Sequence, residues 1–230
     1  TDDFDNTVEN INTTDYKKKV SYGKNVLIGY NVKIGSNCLI GHNSIVEKNV
    51  IIGDNCTIGS NVIIRNSLIN NNVHILDGCV IGKKGFGFFP NKGNNFRYPQ
   101  IGIVIIEDNV EIGCGSTIDR GSLSNTIIGK NTYLDNQIHI AHNVKIGQNC
   151  IINTKSLVEH DVRIGNHCHI STGSIVNGNV GSHIELYGSV NGTFITIALN
   201  SPGYIFATAP NSSPPALIPC PHNNSGFVHF

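Results

Sequence analysis

The sequence predicts an all-β solenoid with a prism-shaped core, because an aliphatic residue recurs at every sixth position along most of the chain. Many of these residues begin a four-residue pattern such as IGSN, IGHN or IGDN, with Gly next and Asn at the end. The first run is Ile28, Ile34, Ile40, Val46, Ile52, Ile58 and Ile64, and the second is Ile128, Leu134, Ile140, Ile146, Ile152, Val158, Ile164, Ile170 and Val176. A period of six fits neither an amphipathic helix nor a simple hairpin sheet, but it is typical of hexapeptide β-solenoids.

Three hexads would complete one triangular coil, so residues eighteen positions apart should stack about 4.8 Å apart, as in any β ladder. We therefore expect the following side chains to point inward: Ile34, Ile52, Ile140, Val158 and Val176. The position two residues before each core aliphatic is usually small, and five cysteines occupy it: Cys38, Cys56, Cys79, Cys150 and Cys168. We interpret them as small, buried hydrophobes, because their spacings follow the solenoid and no CxxC pair indicates zinc or a disulfide.

The repeat pattern and its irregular ends divide the chain of 230 residues into three parts. We predict a polar N-terminal segment over residues 1–22, a β-helix over residues 23–200 and a Pro-rich extended arm over residues 201–230. Within the β-helix, a Gly- and aromatic-rich loop over residues 82–102 interrupts the period. A long excursion from a rigid scaffold is more often functional than decorative, although a flap that only covers the prism is the alternative. Four extra residues in the stretch DRGSLSN widen a second corner.

Composition and charge argue against several classes of function. Only 14% of residues are charged, and the 16 basic and 16 acidic side chains balance, so no broad basic face for nucleic acid is expected. No apolar run is long enough to span a membrane, and the first residues lack the features of a signal peptide. Reduced cysteines favour a cytoplasmic location. We expect no metal and no bound cofactor.

The histidines are the strongest candidates for chemistry. His142 and His160 are eighteen residues apart, so they should stack at one corner of adjacent coils. Asp135, Glu159 and Asp161 flank them, and a carboxylate can orient an imidazole and raise its basicity near neutral pH. A metal site is the competing interpretation, but one flat column suits tetrahedral coordination poorly. The pattern therefore favours proton transfer.

Four motifs carry a specific resemblance: the GFGF loop, the PQIG that closes it, TIDRG with its widened corner, and DNQIHIAHNV. In this order and spacing they resemble the UDP-3-O-acylglucosamine N-acyltransferase family of lipid A biosynthesis, over roughly residues 23–210. The resemblance implies a left-handed parallel β-helix with an extruded aromatic loop. It also implies a homotrimer, or a higher assembly, with active sites between neighbouring prisms. The implied enzyme moves a hydroxyacyl chain from acyl carrier protein to the amine of a UDP-amino-sugar.

The resemblance also implies roles for individual residues. His142 matches the catalytic base of the family, and Asp135 matches the carboxylate that supports it. The predicted substrate-binding residues are Asn136, Phe86, Phe88 and Asn179, the last at the position of the family's second active-site histidine. The N-terminal uridine-binding domain and the C-terminal helical extension of the family are not expected in this chain. A backbone N–H at a Gly-rich corner is the expected donor to the tetrahedral intermediate.

Two alternative functions remain open at this point. The stretch VEHDVRIGNHCHISTGSIVNGNV is similar to the amino-sugar nucleotide N-acetyltransferases, in which His160 would be the base and His169 would contact acetyl-CoA. Glu159 or Asp161 would then orient His160. The third interpretation is a non-catalytic solenoid, structural or filament-forming, and in that case extracellular, because flat stacked faces favour association.

Overall fold

The computed structural model describes residues 19–90 and 92–182, and the backbone of three short strands farther along. It is a left-handed parallel β-helix, as the sequence predicts, and the described residues include no helix that is long and apolar enough to cross a membrane. The predicted N-terminal segment lies outside the described residues up to position 18. Of the predicted arm, only an antiparallel pair, Tyr204–Ile205 with Ile218–Pro219, is described.

Each coil contributes one short strand to each of three parallel sheets, here called the first, second and third faces. The first face contains Ser21–Tyr22, Leu39–Ile40, Thr57–Ile58, His74–Ile75, Glu111–Ile112, Tyr133–Leu134, Ile151–Ile152, His169–Ile170 and Glu185–Leu186. The second face contains Leu27–Ile28, Ile45–Val46, Ile63–Ile64, Val80–Lys83, Thr117–Asp119, His139–Ile140, Leu157–Val158 and Ile175–Val176. The third face contains Lys33–Ile34, Ile51–Ile52, Ser67–Ile69, Val104–Ile106, Thr126–Ile128, Lys145–Ile146 and Arg163–Ile164.

The core is a stack of aliphatic side chains, one from each strand. Ile140 pairs with Ile118 in the preceding coil and with Val158 in the next, and all three are fully buried. Burying such a side chain stabilises the fold by about 1.5–3 kcal/mol. The predicted inward positions are confirmed, and Ile34, the least buried of them, is half-buried and packs against the core.

The recurring Asn of the hexad closes many of the corners in the left-handed backbone region. Asn37, Asn55 and Asn72 have φ of 57°, 57° and 56°, a conformation that Asn tolerates better than most residues. Their side chains also form a ladder, because Asn37 Nδ2 donates to Asn55 Oδ1 and Asn55 Nδ2 donates to Asn72 Oδ1, each at 3.1 Å. Backbone conformation and side-chain bonding therefore both explain the pattern IGxN.

The small position before each core aliphatic is buried, as predicted, and the six described cysteines are free thiols. The five predicted cysteines lie in the hydrophobic core, which confirms their interpretation as small, buried side chains, and the structure adds a hydrogen bond that the sequence did not predict. Cys56 Sγ lies 3.0 Å from Asn70 O and Cys150 Sγ lies 3.1 Å from Gly165 O, both at corners of the next coil. Ser44 Oγ makes the same bond, 2.7 Å to Gly59 O. Where Cys or Ser occupies this position, its side chain satisfies a corner carbonyl of the next coil.

Candidate active site

Four unusual features lie on successive coils at one corner, between the second and third faces. The aromatic loop leaves the second face after Lys83 and returns to the third face at Val104. The widened corner follows Asp119 in the next coil, and His142 and His160 occupy the two coils after that. The sequence predicted the two breaks and the histidines separately, but the fold brings them together.

His142 and His160 stack as the sequence predicts. Their ring centroids are 5.2 Å apart with an interplanar angle of 12°. The backbone N–H of Asp161 also donates to His142 O at 3.1 Å, which fixes the two coils in register. The two environments differ, because His142 is 7% exposed, whereas the side chain of His160 is 61% exposed.

Burial is the main cause that lowers the pKa of His142, and the charge of His160 lowers it further. The carboxylates of Asp161 and Asp119 oppose this effect without reversing it. Since an unperturbed imidazole titrates near about 6.5, a lowered pKa keeps His142 neutral at pH 7. Its ring can therefore accept a proton, which is the requirement for a general base.

The aromatic loop covers His142 through its glycines. A Cβ added at Gly85 would lie 2.6 Å from His142 Cδ2 and 2.8 Å from His142 Cβ. A Cβ added at Gly87 would lie 2.7 Å from Tyr98 Cδ2 and 3.5 Å from His142 Nε2. Glycine at both positions lets the loop backbone approach the imidazole, so the GFGF motif has a steric explanation.

The aromatic residues hold the loop in shape. Strands Phe88–Phe89 and Phe96–Arg97 form an antiparallel hairpin, and the Arg97 guanidinium lies 4.9 Å from the centre of the Phe88 ring. Phe89 packs edge-on against Tyr98 at 3.9 Å. Of the two predicted substrate-binding phenylalanines, Phe88 is half-buried under Arg97 and Phe86 is strongly exposed. Phe86 therefore presents an apolar surface, while Phe88 contributes to the hairpin.

Asp135 and Asn136 lie at another corner, between the first and second faces. Asp135 Oδ1 accepts hydrogen bonds from the backbone N–H and Nδ2 of Asn136 at 2.7 and 2.8 Å, and Oδ2 accepts one from Thr154 N at 3.2 Å. Asn136 Oδ1 accepts from Cys114 N at 2.7 Å. The second-face strand His139–Ile140 separates Asp135 from His142 within one chain. Here the pair closes a corner, and the carboxylates that act electrostatically on His142 are Asp161 and Asp119.

A hydrogen-bond network connects the widened corner to His160. Asn143 Oδ1 accepts from Ser122 N at 2.7 Å, and Asn143 Nδ2 donates to Asp161 Oδ1 at 2.9 Å. Asp161 Oδ2 in turn lies 2.9 Å from His160 Nδ1. Burial opposes the lowering of the Asp161 pKa, but hydrogen bonds from His160 and Asn143 outweigh it, so this pKa lies below its usual value. The extra corner residues therefore help to position an ionised carboxylate against His160.

A polar group on the second face was missed by the sequence reasoning. Asp119 is 2% exposed and forms an ion pair with Lys83 of the preceding coil. His139 Nε2 lies 3.9 Å from Asp119 Oδ2, and His139 Nδ1 lies 2.6 Å from Thr117 Oγ1. The TIDRG motif contains Asp119, but because of the loop Lys83 lies 36 positions earlier in the sequence, which hides the pairing.

The remaining predicted residues either lie away from this corner or make contacts other than the predicted ones. His169 lies on the outer side of the first face, where its Nε2 is 3.1 Å from Asn153 Nδ2. Asn179 is exposed, and its Oδ1 accepts from Arg163 N at 2.8 Å. The carboxylate bonded to His160 belongs to Asp161 and not to Glu159. Within one chain, His160 and His169 therefore lie apart, His160 at the corner between the second and third faces and His169 on the first face.

Two buried side chains have unpaired polar atoms, one beneath the aromatic loop and one where that loop ends. His142 Nδ1 is buried without a hydrogen-bond partner, and so are both amide atoms of Gln100, the residue that closes the loop in PQIG. Unpaired buried polar atoms cost about 1–3 kcal/mol each, so native proteins usually satisfy them. Over residues 19–90 and 92–182, no group of three or more His, Cys, Asp or Glu side chains could hold a metal ion.

The family model for bacterial transferase hexapeptide repeats matches residues 31–66 and 125–159. The two matched stretches lie in the coils before and after the aromatic loop, and they are similar to that family. Among curated proteins, the UDP-3-O-acylglucosamine N-acyltransferase of Azorhizobium caulinodans is 54% identical over 67 residues, which are 29% of this chain and 19% of that protein. The enzyme of the same name from Hahella chejuensis is 58% identical over 71 residues, 31% of this chain and 20% of that protein. The matched region thus spans about a fifth of the length of these relatives.

Solved structures support the same fold. The UDP-N-acetylglucosamine acyltransferase of Francisella novicida superposes with a TM-score of 0.65 at 25% identity, covering 77% of this chain and 66% of that one. The enzyme of Campylobacter jejuni superposes with a TM-score of 0.56 at 18% identity, covering 78% of this chain and 72% of that one. The second likeness concerns the fold alone.

Proposed function

We propose that this protein is an N-acyltransferase that moves an acyl group from a thioester carrier to the amine of a UDP-amino-sugar. The observation that carries the proposal is the buried His142 imidazole, held neutral beneath a glycine-rich loop. The names of the relatives, which are N-acyltransferases of an acylglucosamine nucleotide, support the substrate class. Acyl carrier protein and acyl-CoA both supply a suitable thioester. A cytoplasmic location fits such donors.

His142 has the chemical properties that this reaction needs. The sugar amine attacks the thioester carbonyl carbon as the C–N bond forms, and the nitrogen must lose a proton to become a stable amide. A neutral His142 ring accepts that proton. The tetrahedral intermediate then breaks its C–S bond, and the departing thiolate takes the proton from His142. The loop over the ring excludes water, which would otherwise compete with the amine for the acyl group.

We expect a homotrimer, in which the cleft between neighbouring prisms holds the substrates. Within one chain Asp135 faces a different corner from His142, so we propose that Asp135 supports a histidine of a neighbouring chain. A shared cleft would also place a neighbour's surface near the exposed Phe86. Cyclic association with threefold symmetry allows every chain to take part in the same contact.

The test is release of free thiol from an acyl thioester in the presence of a UDP-amino-sugar. His142→Ala should lower the rate by about 10²–10⁴-fold, the usual contribution of a general base, with the oligomer intact. Asp135→Asn should lower it less, because the carboxylate does not take the proton. If the wild-type protein consumes no thioester with either carrier, the proposal fails and a structural role is favoured.

One observation favours the acetyl-CoA-dependent alternative. His160 has its own carboxylate partner, Asp161, at 2.9 Å, and a carboxylate in this position can orient a histidine base. That alternative predicts that His160→Ala abolishes turnover while His142→Ala does not. It also predicts a preference for acetyl-CoA over longer acyl donors. The single-chain separation of His160 from His169 weighs against it.

A further inference from the structure

The closing segment of the aromatic loop is fixed to the widened corner by its backbone. The N–H groups of Ile101 and Gly102 both donate to Ser122 O, at 2.8 and 2.9 Å. The Arg120 side chain donates through Nε to Gly102 O at 2.7 Å. The packing is close, because a Cβ added at Gly102 would lie 2.0 Å from Ser124 O. A shift of the widened corner would therefore carry the end of the loop with it.

The widened corner is held in turn by Asn143, a half-buried corner residue of the next coil. Asn143 Oδ1 accepts from Ser122 N at 2.7 Å, and it lies 3.1 and 3.3 Å from the hydroxyl oxygens of Ser122 and Ser124. Asn143 Nδ2 donates to Ser122 Oγ at 2.8 Å and to Asp161 Oδ1 at 2.9 Å. One amide group therefore connects the widened corner to the coil that follows.

Asn143 directly follows His142, so this connection ends beside the imidazole. The Asn143 backbone is left-handed, with φ of 63°, and its N–H donates to Thr126 Oγ1 at 3.0 Å. The start of the loop meets the same histidine, because a Cβ added at Gly85 would lie 2.6 Å from His142 Cδ2. The loop is thus in contact with this corner at its start and bonded to it, through Ser122, at its end.

The bonds of Asn143 differ from those of an asparagine in a regular ladder. Asn131, with a similar φ of 55°, accepts from Asn109 Nδ2 at 2.9 Å and donates to Asn149 Oδ1 at 3.0 Å. At Asn143 the following coil supplies Asp161, and the preceding coil supplies the inserted serine residues. The same type of corner residue therefore holds an insertion in place here, in addition to closing its own coil.

We propose that Asn143 is a positioning residue, whose side chain fixes the widened corner and thereby holds the aromatic loop closed over His142. Its effect on rate rests on the proposed acyl transfer, whereas its effect on the loop does not depend on a substrate. The loop covers the imidazole and excludes water from it, so a displaced loop should slow the reaction. A misplacement of about 1 Å caused by a distant mutation can cost about 10²-fold in rate.

The first test removes the side chain and keeps the backbone conformation, in Asn143→Gly. Glycine accepts a left-handed φ without strain, so this variant loses the amide bonds to Ser122 and Asp161 and little else. We expect carbethoxylation of His142 by diethyl pyrocarbonate, measured by mass spectrometry, to accelerate, and the amides of the loop's closing segment to exchange hydrogen faster. The value of kcat/KM should fall by about 10²-fold. Wild-type rates of modification and exchange would overturn the inference.

Asn143→Asp separates the two bonds of the amide. The new carboxylate keeps an oxygen that accepts from Ser122 N, but it replaces the Nδ2 donor with a second oxygen facing Asp161. The Asp161 side chain is 61% exposed and can turn into solvent, so the widened corner should stay in place. We expect His142 to be modified at close to the wild-type rate. If Asn143→Asp exposes His142 as much as Asn143→Gly does, the bond to Ser122 does not hold the loop and the inference fails.

Asn131→Gly is the matched control. It removes ladder bonds on both sides of a corner asparagine with nearly the same φ, at the corner between the third and first faces. It should lower the melting temperature, as Asn143→Gly does, but leave His142 modification and kcat/KM at the wild-type values. Faster modification of His142 in this control would mean that the loss of any corner side chain loosens the loop, and Asn143 would have no special role.

Ser122→Ala is the second variant if Asn143→Gly does not fold. It removes the hydroxyl that bonds both atoms of the amide, and it keeps the bond from the backbone N–H. The same changes should appear to a smaller extent. A Ser122→Ala variant with none of them would then overturn the inference.

Measurements without turnover separate this inference from the proposed function. Modification of His142 and amide exchange test the connection even in a protein that consumes no thioester, a result that would remove the proposed function alone. In an active enzyme, Asn143→Gly with rapidly modified His142 and wild-type kcat/KM would show that transfer does not need the closed loop. That outcome would overturn the positioning role of Asn143 and leave the proposed function standing.

Discussion

The contact between the aromatic loop and His142 yields the sharpest mutational prediction. Gly85→Ala places a methyl group 2.6 Å from His142 Cδ2, 2.8 Å from Cβ and 3.0 Å from Cγ. Ordinary contacts begin at 3.4 Å, so the loop must retreat by about 0.8 Å. His142 cannot easily yield, because it is buried and stacked on His160. We therefore expect the loop backbone at Gly85 to move rather than the imidazole.

Two measurements report this displacement. A misplacement of about 1 Å near a reacting group can cost about 10²-fold, and we expect kcat/KM of Gly85→Ala to fall by that order. Carbethoxylation of His142 by diethyl pyrocarbonate, followed by mass spectrometry, should accelerate because the cover has moved. His160 provides an internal reference, since its side chain is already exposed.

Gly93→Ala is the control for the loop. Nothing lies within 4 Å of a Cβ at Gly93, so this substitution in the same loop should change neither rate. If Gly85→Ala also leaves both the modification of His142 and thiol release at wild-type rates, the loop does not hold the imidazole. The steric explanation of the GFGF motif would then be wrong.

Four further outcomes are expected. Ile140→Asp should lower the melting temperature by about 10 °C or more, because it buries an unpaired charge, whereas Ile151→Asp on the exposed outer surface should have little effect. Lys83→Met should lower the free energy of unfolding by at most about 3 kcal/mol, measured by chemical denaturation. It removes the cation that pairs with the buried Asp119 carboxylate, but the effect is limited because the Lys83 side chain is partly solvated. Because the pKa of His142 is lower in the folded protein than in the unfolded chain, the unfolded chain binds this proton at a higher pH. The free energy of unfolding should therefore fall as pH drops below about 6.5, and His142→Gln should remove that part of the pH dependence. Sedimentation at micromolar concentration should show a trimer, and a stable monomer would rule out a shared cleft.

The hexad period was enough to predict the fold and the stacking of His142 on His160. Each depends only on counting eighteen residues along uninterrupted coils, as the register of Ile140 with Val158 shows. Counting fails where the chain leaves the prism. Lys83 and Asp119 pair across the aromatic loop, whose length sets no register.

The spacing of Asp135 from His142 illustrates a second limit. Seven residues in this fold cross a whole face, so residues close in sequence point to different corners. The hydrogen bonds of Cys56 and Cys150 were likewise invisible in composition, because a thiol and a small hydrophobe fit the same space. The hydrogen bonds and ion pairs at a corner depend on which residues the neighbouring coils place beside it, and only the folded structure shows those neighbours.

In the proposed reaction, His142 removes the proton from the sugar amine. A crystal structure of the protein with a UDP-amino-sugar tests it most directly, through the distance between the amine nitrogen and His142 Nε2. We predict that this distance lies within hydrogen-bond reach, about 2.6–3.2 Å. An amine bound at another corner, out of reach of His142, would contradict the claim.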